Sequence, residues 1–212
     1  MLRRLRTLVI MLLATLLTGP LFAADFEEGT DYETLSTAQP TSTDNRIEVV
    51  ELFWYGCPHC NQLEPLIEPW VKKLSGDVQF VRIPAILRPE WELLARAYYA
   101  AEVLGVVEKT HRALFSTIHD EKRFLSNETQ VRDFFVKQGV SEQDFTRAFQ
   151  SFAVNSKVKR ARDLTKRYGS NGVPDLIING KYRTNGSLAR GNANMLKVAD
   201  YLIEQERKAR TK

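Results

Sequence analysis

The first half of the chain alternates between two hydrophobic periods. Residues 47–54 are mostly apolar, as in a buried strand, and a second such segment covers residues 78–84. Between them, apolar residues recur at helical spacing: Leu63, Leu66, Ile67 and Trp70. This order predicts a right-handed βαβ unit with parallel strands. Its helix should start near Cys57 and bend at two internal prolines, Pro65 and Pro69, before it ends near residue 75.

A long helical block is predicted next. Between residues 86 and 168 the apolar positions follow helical spacing, and no strand pattern appears. Asn127 with Gln130, and Ser141 with Asp144, have the spacing of capping boxes, whose side chains satisfy unpaired N–H groups at a helix start. We therefore expect several short helices inserted into the βα framework.

The last part of the chain returns to strands and ends in a helix. Two short strand patterns lie within residues 172–183, joined by Asn179-Gly180, a dipeptide typical of a tight hairpin. Residues 192–208 have helical spacing and should form the closing helix. Residues 25–46 are polar and predict an N-terminal arm with one edge strand.

The first 23 residues have the composition of a secretory signal peptide. Three arginines precede an apolar run that extends to Phe22, and Ala23 and Ala24 follow it. A membrane anchor is the alternative, but polar residues and a proline interrupt the run, which falls short of the ~20 apolar residues that a span needs.

Without the first 23 residues the formal net charge falls from +4 to +1, so no nucleic-acid-binding face is expected. About 189 residues remain, enough for one domain exported to an oxidising compartment.

The only two cysteines form the motif Cys57-Pro58-His59-Cys60, where the first strand passes into the helix. Pro58 suits the first helical position, while the backbone N–H groups of His59 and Cys60 and the helix dipole favour a thiolate at Cys57. A disulfide whose reduced form is stabilised in this way tends to be donated. Because the pair closes a very short loop, a purely structural disulfide would add little stability. We therefore predict a redox-active pair, with Cys57 exposed and Cys60 shielded.

The three histidines offer two different kinds of chemistry. A charged His59 would stabilise the Cys57 thiolate. His111 and His119 could complete a zinc site with Cys57 and Cys60, but a Cys-x-x-Cys at a helix start after a strand favours redox chemistry. No metal is therefore predicted, and His111 and His119 are expected at the surface.

A carboxylate interrupts the first strand. Glu51 lies six residues before Cys57 in a segment predicted to be buried, and buried carboxylates are rare without a partner or a function. The alternative is a strand face open to solvent.

The mature chain resembles, almost end to end, the DsbA family of bacterial periplasmic thiol:disulfide oxidoreductases. The resemblance rests on the strand before the cysteines and on three motifs: Cys57-Pro58-His59-Cys60, Gly172-Val173-Pro174 and Asn179-Gly180-Lys181-Tyr182. It implies an α/β, thioredoxin-like fold over residues 24–212, with an inserted all-helical domain at about 86–168.

The resemblance also implies roles for individual residues. Glu51 would be a buried acid near Cys60, able to accept or relay the proton of that thiol, with Arg82 in reach. Pro174 would be a cis proline beside the redox pair, where the backbone of Val173 can pair with an extended substrate chain.

The expected function is a periplasmic oxidase that donates the Cys57–Cys60 disulfide to exported cysteine-containing proteins, without a metal or organic cofactor. The resemblance implies that a membrane quinone-linked oxidase of the DsbB type restores the disulfide.

A monomer is expected because the N-terminal arm is too short to form the dimerisation domain that related isomerases carry. Val173, in front of Pro174, matches the oxidase branch of the family rather than the isomerases. Asp175, next to Pro174, would oppose thiolate formation and leaves the oxidising strength open. The alternatives are an exported metal-binding or metal-chaperone protein that uses the cysteine pair, or a related disulfide isomerase or reductase.

Overall fold

A computed structural model describes residues 26–43 and 45–211, so the predicted signal peptide lies outside the described residues. In chain order the elements are β1 (Glu33–Thr34), β2 (Ile47–Phe53), α1 (Pro58–Val71), β3 (Val78–Pro84), a 3₁₀ turn (Pro89–Trp91), α2 (Glu92–Val103), α3 (Val107–His119), α4 (Glu128–Lys137), α5 (Glu142–Phe149), α6 (Phe152–Arg167), β4 (Asp175–Ile178), β5 (Tyr182–Asn185) and α7 (Asn192–Arg210).

The strands form one mixed sheet in the order β1-β5-β4-β2-β3. β2 pairs in parallel with β3, as predicted for the βαβ unit, and antiparallel with β4. β4 and β5 form the predicted hairpin, whose turn residues Asn179 and Gly180 have φ angles of 51° and 64°. β1 is a short edge strand. Because β2 lies between two neighbours and is buried along its whole length, nearly all its positions favour apolar residues.

Helices cover both faces of the sheet. On one face, Val49 and Ile178 pack with α1 and α7. On the other face, Val50 and Leu52 pack against the helical block between β3 and β4. Since side chains alternate along a strand, Glu51 points to the same face as Val49, toward α1.

The starts of two helices in the block confirm the predicted caps. The Asn127 side chain accepts a hydrogen bond from the Gln130 N–H at 3.0 Å, and the Ser141 hydroxyl accepts one from the Asp144 N–H at 3.0 Å. These bonds satisfy amide groups that have no partner inside the helix. In the part of the chain that the structure describes, no helix is long and apolar enough to cross a membrane.

The βαβ helix ends earlier than its sequence predicts. α1 continues through Pro65 and Pro69, which both lie on its exposed side, and ends at Val71 rather than near Ser75. A proline removes one backbone donor and crowds the preceding turn, so the two prolines weaken the last turns of α1. The cysteine end of the helix is unaffected, because Pro58 occupies its first position.

Candidate active site

The two cysteines occupy the first turn of α1 and differ in accessibility. Cys57 is the N-cap residue, with extended backbone angles, and Cys60 lies one turn inside the helix. Cys60 is completely buried, as predicted, but Cys57 is only 8% exposed. The prediction of an exposed Cys57 was therefore wrong, because the loop before β4 covers it: the Cys57 Sγ lies 3.3 Å from the carbonyl oxygen of Val173. The two sulfurs are not bonded to each other in this structure.

The surroundings of Cys57 stabilise its thiolate. The pKa of Cys57 is lowered from 9.0 to about 6, chiefly by the hydrogen bond from the Cys60 thiol. Burial opposes this shift, while the backbone N–H groups of Cys60 and His59 and then the His59 ring reinforce it. The helix start therefore acts as predicted from sequence, but the inner thiol contributes more than the histidine.

Cys60 is shifted in the opposite direction. Burial raises the pKa of Cys60 well above 9.0, and its hydrogen bond to Cys57 adds to the shift. The negative charge of Glu51 contributes in the same sense. One sulfur is therefore suited to be a thiolate and the other to hold a proton, although they are separated by one helical turn.

The segment before β4 forms the rim of the site. The Val173–Pro174 peptide bond is cis, and Val173 is half-buried beside Cys57. A groove of about 890 Å³ extends from this rim along the start of α1 and α7. Its lining includes His59, Val173, Pro174, Arg190, Asn192 and Lys197.

Glu51 is buried behind the redox pair and has a cationic partner. It is 0% exposed, and its register neighbour on β3 is Arg82. The Arg82 Nε donates to Glu51 Oε2 at 3.0 Å, and the Arg82 NH2 group donates to Glu64 Oε2 at 3.4 Å. One guanidinium therefore serves two buried carboxyls.

Two residues of this buried cluster were not identified from the sequence. Glu64 lies four residues after Cys60, which places both on one face of α1, and it is 0% exposed. His111 was expected at the surface, but it is 4% exposed: Nε2 contacts Glu64 Oε1 at 3.1 Å, and Nδ1 contacts the Tyr55 hydroxyl at 2.8 Å.

His119 was also misplaced by the sequence analysis. It is half-buried, and its Nε2 donates to the backbone oxygen of Tyr55 at 2.8 Å. For His111 on the same helix, the sequence did contain a signal of burial: it has helical spacing with the buried residues Leu114, Phe115 and Ile118. Through Tyr55, the two histidines connect α3 to the loop directly before Cys57.

Protonation differs between the two carboxyls of the cluster. Burial, and then the charge of Glu64, raises the pKa of Glu51 to about 8 despite Arg82. Burial also acts to raise the pKa of Glu64, but the hydrogen bond from His111 and the charge of Arg82 outweigh it and leave that pKa lowered. Near neutral pH, Glu51 therefore holds a proton and Glu64 is ionised.

Among the described residues, no group of three or more histidine, cysteine, aspartate or glutamate side chains is arranged to hold a metal ion. His111 is engaged by Tyr55 and Glu64, and His119 contacts the Tyr55 backbone.

Asp175 is buried on β4 and has its own partner. It is 1% exposed, and its Oδ2 lies 3.6 Å from the Arg183 NH1 group. Burial raises the pKa of Asp175, against hydrogen bonds from Ser170 and Asn185 and the charge of Arg183. Asp175 is not among the groups with the main effects on the pKa of Cys57.

Known proteins resemble this chain in sequence over most of its length. Residues 48–202 match the family model of the DSBA-like thioredoxin domain. The chain is 42% identical over 211 residues to the thiol:disulfide interchange protein DsbA of Pseudomonas syringae pv. tomato, covering 97% of this chain and 98% of the relative. It is 40% identical over 210 residues to DsbA of Pseudomonas aeruginosa, covering 99% of this chain and 100% of the relative.

Solved structures agree with the sequence comparison. The crystal structure of Pseudomonas aeruginosa DsbA superimposes with a TM-score of 0.85 at 42% identity, covering 89% of this chain and 98% of that one. DsbA from Xylella fastidiosa gives a TM-score of 0.81 at 30% identity, covering 86% of this chain and 98% of that one.

The fold and the cysteine pair define a thiol:disulfide oxidoreductase with a thioredoxin-like fold and inserted helices, which confirms the predicted α/β fold class. The chain belongs to the DsbA family.

Proposed function

We propose that this oxidoreductase works as a periplasmic oxidase, which donates its Cys57–Cys60 disulfide to exported proteins with reduced cysteines. The observation that carries the proposal is the opposite shift of the two thiols, with the pKa of Cys57 lowered to about 6 and that of Cys60 raised. The lowered pKa of Cys57 favours the dithiol over the disulfide, because the reduced pair then holds a stabilised thiolate. The raised pKa of Cys60 keeps a proton on the inner sulfur, whose thiol donates to that thiolate. A disulfide with such a product gives up its bond readily.

The exchange conserves atoms and electrons within the site and the substrate. A substrate thiolate attacks the Cys57 sulfur, the Cys57–Cys60 bond breaks, and its electron pair goes to the Cys60 sulfur. The protonated carboxyl of Glu51 then supplies the proton of Cys60, and the resulting carboxylate, paired with Arg82, takes up a proton again from solvent. A second substrate thiolate attacks the substrate sulfur of the mixed disulfide and releases Cys57 as its stable thiolate.

Substrate binding is assigned to the rim and the groove. The carbonyl of Val173 points at the Cys57 sulfur, and the adjacent groove is open along α1 and α7. An extended substrate segment can pair with this backbone, which requires no particular side chain next to the reacting cysteine. This mode suits an enzyme that accepts many unfolded substrates.

Regeneration and location complete the proposal. A membrane quinone-linked oxidase of the DsbB type would accept electrons from the dithiol, and no metal or organic cofactor would reside in the site. The mature protein would be monomeric in the periplasm after removal of the signal peptide. N-terminal sequencing of the protein from a periplasmic extract tests both its location and its processing.

The decisive experiment compares two substrates. The oxidised protein should rapidly form disulfides in a reduced multi-cysteine protein, whereas the reduced protein should unscramble a mispaired one slowly. Cys57→Ser and Cys60→Ser are the matched controls: the first should abolish the reaction and the second should trap mixed disulfides. Efficient unscrambling by the wild type, together with a dimer in solution, would overturn the oxidase proposal in favour of an isomerase.

A further inference from the structure

The buried cluster behind the redox pair contains a histidine that the exchange chemistry above does not use. His111 on α3 bridges the Tyr55 hydroxyl at 2.8 Å and Glu64 Oε1 at 3.1 Å. From Glu64 the contacts continue through Arg82, at 3.4 Å, to Glu51, at 3.0 Å. A continuous line of polar contacts therefore joins His111 to the carboxyl that serves the inner cysteine.

The charges of this cluster do not balance when all groups are ionised. Two carboxyls and one guanidinium would leave one uncompensated negative charge away from water, so the cluster retains a proton. Charged and titratable groups reach this cluster from every element around it: Arg82 on β3, Glu64, Cys60 and Glu68 on α1, Tyr98 on α2, His111 and Arg112 on α3, and Tyr55 after β2.

The hydrogen-bond directions of His111 follow from its two neighbours. An ionised Glu64 can only accept, so the hydrogen of the neutral ring must lie on Nε2. Nδ1 is then an acceptor, and the Tyr55 hydroxyl donates to it. Burial lowers the pKa of His111, which keeps the ring neutral against the opposing effect of Glu64. Glu64 thus receives a fixed N–H from a ring that Tyr55 orients.

We propose that His111 is a positioning residue for disulfide exchange: its Nε2–H holds Glu64 ionised, which leaves the shared proton on Glu51, where Cys60 takes it. The inference rests on the proposed roles of Cys57, Cys60 and Glu51. His111 itself neither gains nor loses a proton during the reaction. When the dithiol is reoxidised through a mixed disulfide at Cys57, Cys60 gives its proton to the ionised form of Glu51. The Cys60 thiolate then attacks the Cys57 sulfur, and the sulfur of the oxidising partner leaves as a thiolate.

The test is the pH profile of the full-length oxidised protein with a small monothiol, with rates expressed per thiolate. In the wild type, the rate constant should fall as pH rises through the pKa of Glu51, about 8. His111→Leu removes the donor to Glu64, so Glu64 takes a larger share of the proton. The pair as a whole then binds the proton more tightly, while less of it resides on Glu51. We expect the midpoint to move about one pH unit higher, with a rate about tenfold lower near neutral pH.

Two variants separate positioning from packing. His111→Gln keeps an N–H donor and should restore most of the wild-type midpoint. His119→Leu is the matched control, because His119 lies on the same helix and contacts the backbone of Tyr55 but none of the carboxyls of the cluster. Its midpoint should equal that of the wild type.

A His111→Leu variant with the wild-type midpoint would overturn the proposal, even if it were slower at every pH. If circular dichroism shows that this variant does not fold, Tyr55→Phe replaces it. Without the Tyr55 hydroxyl, the His111 ring can also adopt the tautomer that has no hydrogen toward Glu64. The midpoint should therefore move in the same direction as in His111→Leu. An unchanged midpoint overturns the proposal. A wild type that does not react with the thiol refutes the proposed function instead, so the two failures are distinct.

Discussion

Two buried carboxylates lie on neighbouring strands in adjacent register positions, Glu51 on β2 and Asp175 on β4. They are 0% and 1% exposed. Each faces an arginine: Arg82 at 3.0 Å from Glu51, and Arg183 at 3.6 Å from Asp175. Burial is the largest cause that raises the pKa of each carboxyl.

Only one of the two carboxyls is among the main influences on the pKa values of the redox pair. Glu51 contributes to the raised pKa of Cys60, whereas Asp175 is absent from the main causes for either cysteine. The sheet geometry explains the difference, because Glu51 lies opposite Leu176 and Asp175 opposite Leu52, and these two pairs point to opposite faces. A shift of one residue along a strand thus separates a carboxyl that raises the pKa of Cys60 from one that lies beside Arg183.

The largest expected effect is on stability. Arg82→Leu would leave the ionised Glu64 buried without its cation, which should cost about 3 kcal/mol near neutral pH. The pKa of Glu64 is lowered in the folded protein, against burial, by His111 and then by Arg82. The share that Arg82 contributes stabilises the fold above the ordinary carboxyl pKa, so the loss should shrink in acid. Urea denaturation across pH measures this. An equal loss at acid and neutral pH would mean that Arg82 acts through packing alone.

Arg183→Leu is the matched variant on the other face. It should also lower the free energy of unfolding, because it removes the cation beside Asp175 and Glu33. Since the two sites share no partner, its equilibrium with a glutathione buffer should stay within about twofold of the wild type. A large change in that equilibrium would contradict the separation of the two faces.

The second effect is on the rate of exchange. Glu51→Gln keeps the shape and neutrality of the protonated acid but cannot transfer its proton, so oxidation of a dithiol peptide should slow roughly 10²-fold. Asp175→Asn should change the same rate by less than about threefold, because Asp175 is buried without contact to the sulfurs. Stopped-flow measurements of both variants test this prediction. Equal slowing would show that the two carboxyls do not differ in their effect on the rate of exchange.

The smallest effect is the stability difference between the redox forms. The folded pKa of Cys57 is about 6 against an ordinary 9.0, so the thiolate stabilises the reduced protein increasingly from pH 6 to 9 and not below. Allowing for solvent screening, we expect an advantage of about 1 kcal/mol at pH 7 over the oxidised form. Chemical denaturation of both forms measures it. Asp175→Asn should leave the difference unchanged, and a wider difference would show that Asp175 does act on Cys57.

The predictable features were those whose partners lie close in the chain. The caps at Asn127 and Ser141 involve residues three apart, and the hairpin turn needs only Asn179 and Gly180. His111 was missed although it has helical spacing with Leu114, Phe115 and Ile118, because the sequence of one helix does not show whether a polar partner lies opposite a histidine. Its burial depends on how α3 packs against α1.

The sequence by itself determined the strand, the helix and the cysteine pair at their junction, because one turn of backbone is enough to put Cys57 at the N-cap and Cys60 inside the helix. Only the tertiary structure decided what surrounds each sulfur. The carbonyl over Cys57 comes from a residue 116 positions away, and the histidine that holds Glu64 lies 47 positions from it. Such contacts depend on sheet register and helix packing, which local hydrophobic patterns do not encode.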